Sequence, residues 1–182
     1  MICRRTMKAF TLVETMVAIA VLAIALIGPF LAVDSARDAS YVARDELIAS
    51  SLAQEGMEYV RSVRDDNYLN SRSWMTGLSS LSCYGSNPGS NYCTVDPTQG
   101  DPNIAGSKAI TAYSSLASVH PLYLSSTNLY NQQDTGVATR FTRVLQLKFV
   151  SATEVQPTVT VYWTSAHQTY SITVTDTLRD WL

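Results

Sequence analysis

The sequence predicts an α+β fold in which a long N-terminal helix, one half membrane-spanning and one half amphipathic, packs on a small antiparallel C-terminal sheet. Three patterns support this prediction: an apolar run near the N-terminus, an apolar stripe with helical spacing after it, and alternation of apolar and polar residues in the last third. The chain has 182 residues, 46% of them hydrophobic, which is enough for one compact domain with an N-terminal extension.

The apolar run covers residues 10–33, and Glu14 is its only ionisable residue. As a helix it would be about 36 Å long, which exceeds the hydrocarbon core of a bilayer at about 30 Å. Arg4, Arg5 and Lys8 precede the run, whereas the segment after it carries charges of both signs, so the positive-inside rule places the N-terminus in the cytoplasm. The sequence therefore predicts one membrane pass with the rest of the chain outside the cytoplasm.

Residues 34–65 continue the helical pattern, without proline and with many strong helix formers. An apolar stripe at helical spacing runs along this segment, and Asp45 interrupts it. Its members are Tyr41, Val42, Ile48, Ala49, Leu52, Gly56, Tyr59, Val60 and Val63. Most charged residues, Glu55 among them, fall on the opposite side, which we expect to face either solvent or the filament. The stripe is the apolar surface that can cover one face of the predicted sheet.

Residues 66–182 form the predicted globular head, with a loop region at 66–118 and the sheet at 139–178. The loop region is rich in Ser, Gly, Asn, Asp and Pro, with Asn87-Pro88-Gly89 as a turn signal. The sheet is a predicted meander of three strands, at 141–149, 159–163 and 170–175, with a hairpin turn at 164–168. The closing segment 178–182 is either a buried anchor or a contact with another chain.

The run Lys8-Ala9-Phe10-Thr11-Leu12-Val13-Glu14 resembles the processing site of type IV prepilins, in which a short basic leader is followed by this residue order and an apolar helix. The resemblance implies that a dedicated, cytoplasm-facing prepilin peptidase cuts between Ala9 and Phe10 and methylates the new amino group of Phe10. Residues 1–9 would be the leader, with Ala9 where the family usually has glycine. The membrane-spanning half of the helix would be residues 10–33 and the amphipathic half residues 34–65.

Glu14 separates this interpretation from two plainer ones, a secretory signal peptide that ends near Ser35 and Ala36 or an ordinary single-pass anchor. Neither accounts for a carboxylate near the start of the apolar run, where it costs several kcal/mol unless it is paired or protonated. The resemblance implies that Glu14 of an incoming subunit pairs with the N-terminal amine of a neighbour in the filament, so that each charge is compensated. Glu14 is therefore the predicted assembly residue.

Gly28 and Pro29 lie inside the apolar run, where proline removes one helical hydrogen bond and crowds the preceding turn. We expect a helix kink between Ala25 and Pro29. Membrane helices tolerate both residues in general. The resemblance to pilins instead implies a helix that loosens there in the filament, and both interpretations stay open.

Cys83 and Cys93 are the cysteines of the exported part, because Cys3 belongs to the leader. An extracytoplasmic location favours a disulfide between them, with two reduced thiols as the alternative. Closing a loop of this size would stabilise the head by about 2 to 3 kcal/mol.

The segment Leu52–Arg61, followed by Arg64-Asp65 and Asn67, is similar to minor pilins of the V type and to type II secretion pseudopilins of the I type. The resemblance implies a structural subunit, a minor pilin of a type IV pilus. Its partners would be prepilin peptidase, other pilin or pseudopilin subunits and the inner membrane platform of the assembly machine. It would begin as a single-pass inner membrane protein with the head outside the cytoplasm and end in an envelope or cell-surface filament.

Two alternatives to a minor pilin stay open. One is a pseudopilin of a type II secretion or DNA-uptake system, which shares all the features above. The other is a membrane-anchored surface binding domain that uses the tyrosine-rich loop region. A mature N-terminus that begins at Phe10 and retains Glu14 would separate the filament subunits from the surface domain.

Composition and motifs argue against other classes of function. With 13 Lys and Arg against 15 Asp and Glu, the chain lacks the basic stripe that nucleic-acid binding requires, so nucleic acid is not expected as a main partner. The sequence contains no nucleophile elbow, Walker loop, dinucleotide fingerprint or HExxH motif. We therefore predict that the protein is not an enzyme and uses no cofactor.

The residues that could bind a metal also lack the necessary spacing. His120 and His167 show no ligand pattern with each other or with the cysteines. Asp96, Asp101 and Asn103 flank Gly100 without the graded spacing of a calcium loop. No metal site is predicted.

Overall fold

The computed structural model describes residues 9, 11–89, 91–103, 109–165 and 168–180. The chain divides into two compact units, Met1–Val42 and Ala43–Leu182. The boundary falls inside a helix, α1, Leu12–Leu69. Antiparallel sheets follow this helix, so the α+β prediction is confirmed.

In the first unit, α1 begins after Thr11, whose hydroxyl accepts a hydrogen bond from the backbone N–H of Glu14 at 3.2 Å. Every residue from 12 to 41 is exposed within the chain. Among the described residues, α1 is long and apolar enough to cross a membrane, by length and composition. Gly28 and Pro29 both lie inside the helix, and the kink expected there stays a prediction.

In the second unit, α1 ends in a Schellman motif, beyond the predicted boundary at residue 65. Ser71 has a φ of 54°, in the left-handed region. The N–H of Arg72 donates to the carbonyl of Asn67 at 2.8 Å, and the N–H of Ser71 donates to the carbonyl of Tyr68 at 3.0 Å. These bonds satisfy two carbonyls of the last turn, and a serine occupies the position that usually belongs to glycine.

The strands of the head are β1 (Tyr84–Gly85), β2 (Tyr92–Val95), β3 (Ile110–Tyr113), β4 (Tyr123–Leu124), β5 (Tyr130–Asn131), β6 (Val137–Ala138), β7 (Phe141–Ser151), β8 (Glu154–Ser165), β9 (Gln168–Thr175) and β10 (Leu178–Arg179). Short 3₁₀ helices lie at Pro97–Gln99 and Leu116–Ser118. Within the described residues the larger sheet has seven strands, with the order β10, β8, β7, β2, β3; β9 also pairs with β8, and β1 also pairs with β7. β1 is parallel to β7, whereas β7, β8 and β9 are mutually antiparallel. The smaller sheet has the order β5, β4, β6.

The predicted meander corresponds to β7, β8 and β9, and its antiparallel pairing is confirmed. The turn between β8 and β9 contains residues 166–167, which lie outside the described residues. The region 66–118, predicted as a long loop with short elements at most, contains β1, β2 and β3, which join the larger sheet. These strands are only two or four residues long, too short for alternation to stand out between turn residues.

The amphipathic part of α1 packs on the larger sheet in a common hydrophobic core. Its buried residues include Ala49, Leu52, Ala53, Gly56, Met57, Tyr59, Val60 and Val63. Gly56 permits close approach, because a Cβ at this position would lie 3.1 Å from Cδ of Arg143 and 3.1 Å from Cγ1 of Val159. The predicted stripe is buried from Ala49 to Val63, whereas Tyr41 is 52% exposed and lies outside the core.

The closing segment contributes Leu178 to this core, where it is 1% exposed. Its backbone pairs with that of Val155 in β8. Trp181 and Leu182 lie outside the described residues. The anchor interpretation of the segment therefore applies to Leu178.

Candidate assembly site

Glu14 lies in the first turn of α1, where backbone N–H groups have no helical partner and the helix dipole favours a negative charge. Thr11 and Glu14 have the Thr-x-x-Glu spacing of a capping box, and the Thr11 hydroxyl makes its half of that motif at 3.2 Å. The Glu14 side chain is exposed and takes part in none of the ion pairs among the described residues. The carboxylate therefore stabilises its own helix end and stays accessible to an external cation.

The predicted processing point adjoins this turn. Ala9 is exposed. Phe10 and leader residues 1–8 lie outside the described residues, so the cleavage between Ala9 and Phe10 and the methylation of Phe10 stay predictions.

After Glu14, α1 presents apolar side chains on all sides. The large ones with more than half of their surface exposed include Leu12, Val13, Met16, Val17, Ile19, Val21, Leu22, Ile24, Ile27, Phe30, Leu31 and Val33. A helix that is apolar all round is stable only inside a bilayer or among other apolar helices. This segment therefore needs a surrounding that the described part of the chain does not provide.

A buried arginine connects the amphipathic part of α1 to the sheet. Arg143, in β7, is fully buried, and its Nη1 donates to the carbonyl of Leu52 at 3.0 Å and to Oε2 of Glu55 at 2.5 Å. Its Nη2 donates to the carbonyl of Val95 in β2 at 2.9 Å. Burial lowers the pKa of Arg143, and the nearby Glu55 carboxylate partly offsets this by favouring the charged guanidinium. One side chain thus joins α1, β7 and β2.

Two further ion pairs connect α1 with later segments. Asp45, which interrupts the apolar stripe, is 3% exposed and accepts a hydrogen bond from Nη1 of Arg140 at 2.8 Å. Arg61 donates to Oδ2 of Asp176 through Nε at 3.0 Å and Nη2 at 2.7 Å. Burial acts to raise the pKa of Asp176, but the hydrogen bonds that this carboxylate accepts outweigh burial, and the pKa is lowered.

Cys83 and Cys93 form a disulfide, as predicted, and both are fully buried. Their Cα atoms are 5.7 Å apart. The carbonyl of Cys83 accepts a hydrogen bond from the N–H of Leu147 at 2.9 Å, and Cys93 lies opposite Leu145. The disulfide therefore fixes two short segments beside the same strand, β7.

The acidic residues considered for calcium have protein partners. Asp96 is 1% exposed and accepts hydrogen bonds from Thr98 and from residues 132–133. Asp101 accepts from the backbone N–H of Asn103 at 2.8 Å and from its side chain at 2.9 Å. These oxygens are occupied by donors of the head itself.

The chain has two histidines, His120 and His167. His120 is exposed, and His167 lies outside the described residues. Over the part of the chain that the structure describes, no group of three or more His, Cys, Asp or Glu side chains is arranged to hold a metal ion.

Sequence reasoning missed Arg143 and the partner of Glu55. Alternation in β7 carries the signal, because Arg143 has the same parity as Phe141, Leu145 and Leu147, which are all buried. A charged residue on the buried face of a strand predicts a buried ion pair. Glu55 was assigned to the solvent side of α1, and its half-exposed side chain lies at the edge of the stripe.

Comparison with known proteins identifies the N-terminal motif. Residues 4–28 match a family model described as the prokaryotic N-terminal methylation motif. No curated protein and no solved structure matches the chain significantly. The motif implies processing by prepilin peptidase and assembly with other pilins, and with the exposed apolar helix it suggests a single-pass membrane anchor. The match at residues 4–28 thus indicates a type IV pilin-like prepilin.

Proposed function

We propose that the chain is a minor pilin of a type IV pilus. The observation that carries this proposal is the methylation motif at residues 4–28, which ends in a helix whose apolar side chains are exposed and whose first turn holds a carboxylate with no ion-pair partner among the described residues. An exposed apolar helix of this kind is suited to a bilayer before assembly and to contact with the helices of other subunits after assembly.

The segments of the chain define the proposed steps from membrane insertion to assembly. Residues 1–9 are the leader, residues 10–33 cross the inner membrane with the N-terminus inside, and residues 34–65 lead into the head at 66–182. Prepilin peptidase cuts after Ala9 and methylates Phe10, and the inner membrane platform of the assembly machine then moves the subunit into the filament. Other pilins are its partners there.

Glu14 is the proposed assembly residue, through an ion pair with the N-terminal amine of a neighbouring subunit. In low dielectric such a pair compensates two charges that would each be costly alone. The capping position of Glu14 offers a competing role, since a carboxylate in the first turn also stabilises the helix end by about 0.3 to 1 kcal/mol. The assembly role and the capping role predict different effects for substitution of Thr11, the cap residue.

The first experiment is mass spectrometry of the N-terminus of the protein extracted from membranes. The proposal expects a chain that begins at N-methyl-Phe10. A chain that begins near Ala36, or one with Met1 intact, would contradict it and would return the chain to the class of exported or anchored surface domains.

The second experiment compares Glu14→Ala with Thr11→Ala, and uses Asp34→Ala as a matched removal of a carboxylate. Glu14→Ala is expected to insert and to be cleaved normally, but to lower incorporation into sheared filaments at least about tenfold, because one charge of a buried pair is then left alone. Thr11→Ala removes the cap and retains the carboxylate, so it should incorporate within about twofold of the wild type. Equal losses in both variants would favour the capping role.

A pseudopilin of a type II secretion or DNA-uptake system is the second candidate, because Leu52–Arg61 is equally similar to pseudopilins of the I type. Deletion of the chain separates the two. Loss of surface pili with normal secretion and DNA uptake supports the minor pilin, and the reverse outcome supports the pseudopilin.

A further inference from the structure

A polar cleft lies at the outer edge of the head, beside strand β3. It has a volume of about 400 Å³ and is lined by Thr111, Tyr113, His120, Gln132, Gln133 and Asp134. Two of these residues belong to β3, one precedes β4 and three follow β5. None of them takes part in the core or in the candidate assembly site.

The loop between β5 and β6 lines one wall of the cleft through residues 132–134. Two buried polar residues, Asp96 and Asn131, hydrogen-bond to this loop. Oδ2 of Asp96, which is 1% exposed, accepts from the N–H of Gln132 at 3.0 Å and from Nε2 of Gln133 at 3.2 Å. Oδ1 of Asn131, which is 4% exposed, accepts from the N–H of Gln133 at 3.0 Å, and its Nδ2 donates to the carbonyl of Thr135 at 2.9 Å. Such a scaffold fixes the backbone of the loop before any ligand arrives.

The same loop contains strained backbone. Asp134 has a φ of 53°, in the left-handed region that a non-glycine residue rarely adopts. Gly136 has a φ of 115°, and a Cβ there would lie 2.1 Å from the carbonyl oxygen of Leu124. Backbone held in unfavourable conformations by buried partners often serves to present a binding group.

One acceptor in the cleft wall lacks a donor. Nε2 of Gln132 donates to the carbonyl of His120 at 2.7 Å, but its buried Oε1 has no hydrogen-bond partner among the described residues. An unsatisfied buried acceptor is unfavourable. A hydroxyl group bound in the cleft could supply the missing donor once the amide rotates toward it.

The residue types restrict what the cleft can bind. Among the described residues that line the cleft there is no Lys or Arg, so these residues offer an anion no counter-charge. Asp134 is the only carboxylate in the lining, and it already accepts a hydrogen bond from the Tyr123 hydroxyl, so a cation would find no ligand set. What remains is an aromatic ring beside two amides, hydroxyls and an imidazole, which suits a ligand that is neutral, rich in hydroxyls and able to stack on Tyr113.

The sheet surface next to the cleft has the same character. Tyr113 lies opposite Tyr92, and Thr111 lies opposite Thr94, in the pairing of β2 with β3. These four side chains are uncharged and combine aromatic rings with hydroxyl groups. Tyr92 is partly exposed, whereas Thr94 is 1% exposed, so a ligand longer than the cleft would continue toward Tyr92.

We propose that this cleft binds a neutral carbohydrate, with a sugar ring stacked on Tyr113 and its hydroxyls hydrogen-bonded to Gln132, Gln133 and Asp134. The inference does not depend on which filament the chain enters. A single sugar ring in such a cleft is expected to bind with a dissociation constant on the order of 1 mM.

The test uses the full chain in an amine-oxide detergent, because maltoside and glucoside detergents carry sugars themselves. Saturation-transfer NMR is recorded with the methyl glycosides of glucose, galactose and N-acetylglucosamine and with their disaccharides. The expected result is saturation transfer from the protein to at least one of these neutral sugars.

Tyr113→Ala should weaken that binding at least about tenfold, since truncation of an aromatic anchor commonly costs that much. Gln132→Ala should weaken it by a smaller factor. The matched controls Tyr162→Ala and Gln156→Ala lie outside the lining and should bind as the wild type does. Asp134→Asn removes the charge and keeps the shape, because Asn also tolerates left-handed backbone, so binding should stay within about threefold.

The proposal would be overturned if the protein transferred no saturation to any of the neutral sugars, each tested at a concentration 10 times the expected dissociation constant. So would binding that is unchanged in Tyr113→Ala, when circular dichroism shows that the variant is folded. Binding of a uronic acid in strong preference to its neutral sugar, or binding abolished in Asp134→Asn, would overturn the assignment of a neutral ligand.

Discussion

Residues 12–42 and 43–69 belong to the same helix, yet they relate to their surroundings in opposite ways. In the first stretch the side chains are exposed almost throughout, and the carboxylate of Glu14 has no ion-pair partner among the described residues. In the second, a buried stripe packs on the sheet, and Asp45, Glu55 and Arg61 each pair with a residue of the head. The backbone is helical in both.

The two stretches of this one helix are therefore suited to different surroundings. The second stretch receives its apolar surroundings and its counter-charges from the head, so its stability is internal to the unit Ala43–Leu182. The first stretch must receive both from a bilayer or from other subunits. Substitutions in the second stretch and its partners should therefore change the stability of the head, whereas substitution of Glu14 should change incorporation.

The largest effect on head stability is expected from Arg143→Ala. This substitution removes the guanidinium donors to the carbonyls of Leu52 and Val95 inside the core and removes the partner of Glu55. We expect the free energy of unfolding to fall by about 3 to 5 kcal/mol, because the truncation opens a cavity in the core and removes the hydrogen bonds of a fully buried guanidinium. Chemical denaturation of the detergent-solubilised chain measures it, with the fluorescence of buried tryptophans as the probe.

Arg179→Ala is the matched control for that measurement. The Arg179 side chain is 68% exposed and approaches Glu154 at 3.4 Å. A pair of this kind contributes at most about 1 kcal/mol. Similar losses in the two variants would mean that the interior position of Arg143 contributes nothing special.

Removal of the disulfide is expected to have the next largest effect. In Cys83→Ala/Cys93→Ala, the unfolded chain gains the entropy of an open loop, and the free energy of unfolding should fall by about 3 kcal/mol. Cys3→Ala serves as the control and should leave the stability of the mature protein unchanged. A loss below about 1 kcal/mol in the double variant would show that the short segments around β1 and β2 are fixed by their hydrogen bonds to β7 alone.

The elements that could be predicted from sequence are those with long local patterns. α1 repeats its apolar stripe over many turns, and apolar and polar residues alternate over 145–149 in β7 and 170–175 in β9. The pairing of β2 with β7 was not predicted. It joins two strands that are far apart in the chain, through one aligned pair of residues, Cys93 and Leu145. No local pattern specifies such a partner.

Pro157 lies inside a strand that was predicted to begin later. The alternation of Val159, Val161 and Trp163 predicted a strand at 159–163, whereas β8 begins at Glu154 and includes Pro157, although proline has no N–H to donate in a sheet. In the structure Pro157 needs no donor, because it lies at the interruption between β9 and β10, and its carbonyl accepts from the N–H of Asp176 at 3.1 Å. The neighbouring strands decide whether proline is tolerated.

The candidate assembly site was predictable for a different reason. Its signal is a short linear motif around Glu14, which needs no tertiary structure to be read. The capping role of Thr11 is equally local, because the Thr-x-x-Glu spacing of Thr11 and Glu14 is itself visible in the sequence. The cleft around Tyr113 and Gln132 could not be predicted, since its residues come from three separate segments.

A smaller effect, dependent on pH, is expected from Tyr59. Burial raises the pKa of its phenol, and the carboxylates of Asp101 and Asp96 raise it further. The unfolded chain ionises this tyrosine near its ordinary value of 10.0, while the folded chain keeps it neutral, so stability falls as the pH rises past about 10. At pH 11 the loss due to Tyr59 should be about 1.4 kcal/mol relative to neutral pH.

Tyr59→Phe isolates this contribution. At pH 7 the variant should be about 1 kcal/mol less stable, because the Tyr59 hydroxyl no longer donates to the carbonyl of Gly100 at 2.7 Å. At pH 11 the variant should be about 0.4 kcal/mol more stable than the wild type, since Phe cannot ionise. Urea denaturation at both pH values tests this, with Tyr84→Phe as a matched loss of a hydroxyl, and a difference that does not change with pH would contradict it.

The smallest effect is expected at the end of α1, where Ser71→Gly should stabilise the head. Ser71 has a φ of 54° in the Schellman motif, and a residue with a Cβ pays about 1 kcal/mol or more in this conformation, whereas glycine does not. The greater freedom of glycine in the unfolded chain offsets part of that gain, so we expect a net stabilisation of about 0.5 kcal/mol and a rise in Tm of about 2 °C. Ser71→Ala keeps the Cβ and should not be stabilised. A lower Tm in Ser71→Gly would mean that the serine side chain contributes more to the helix end than its backbone strain costs.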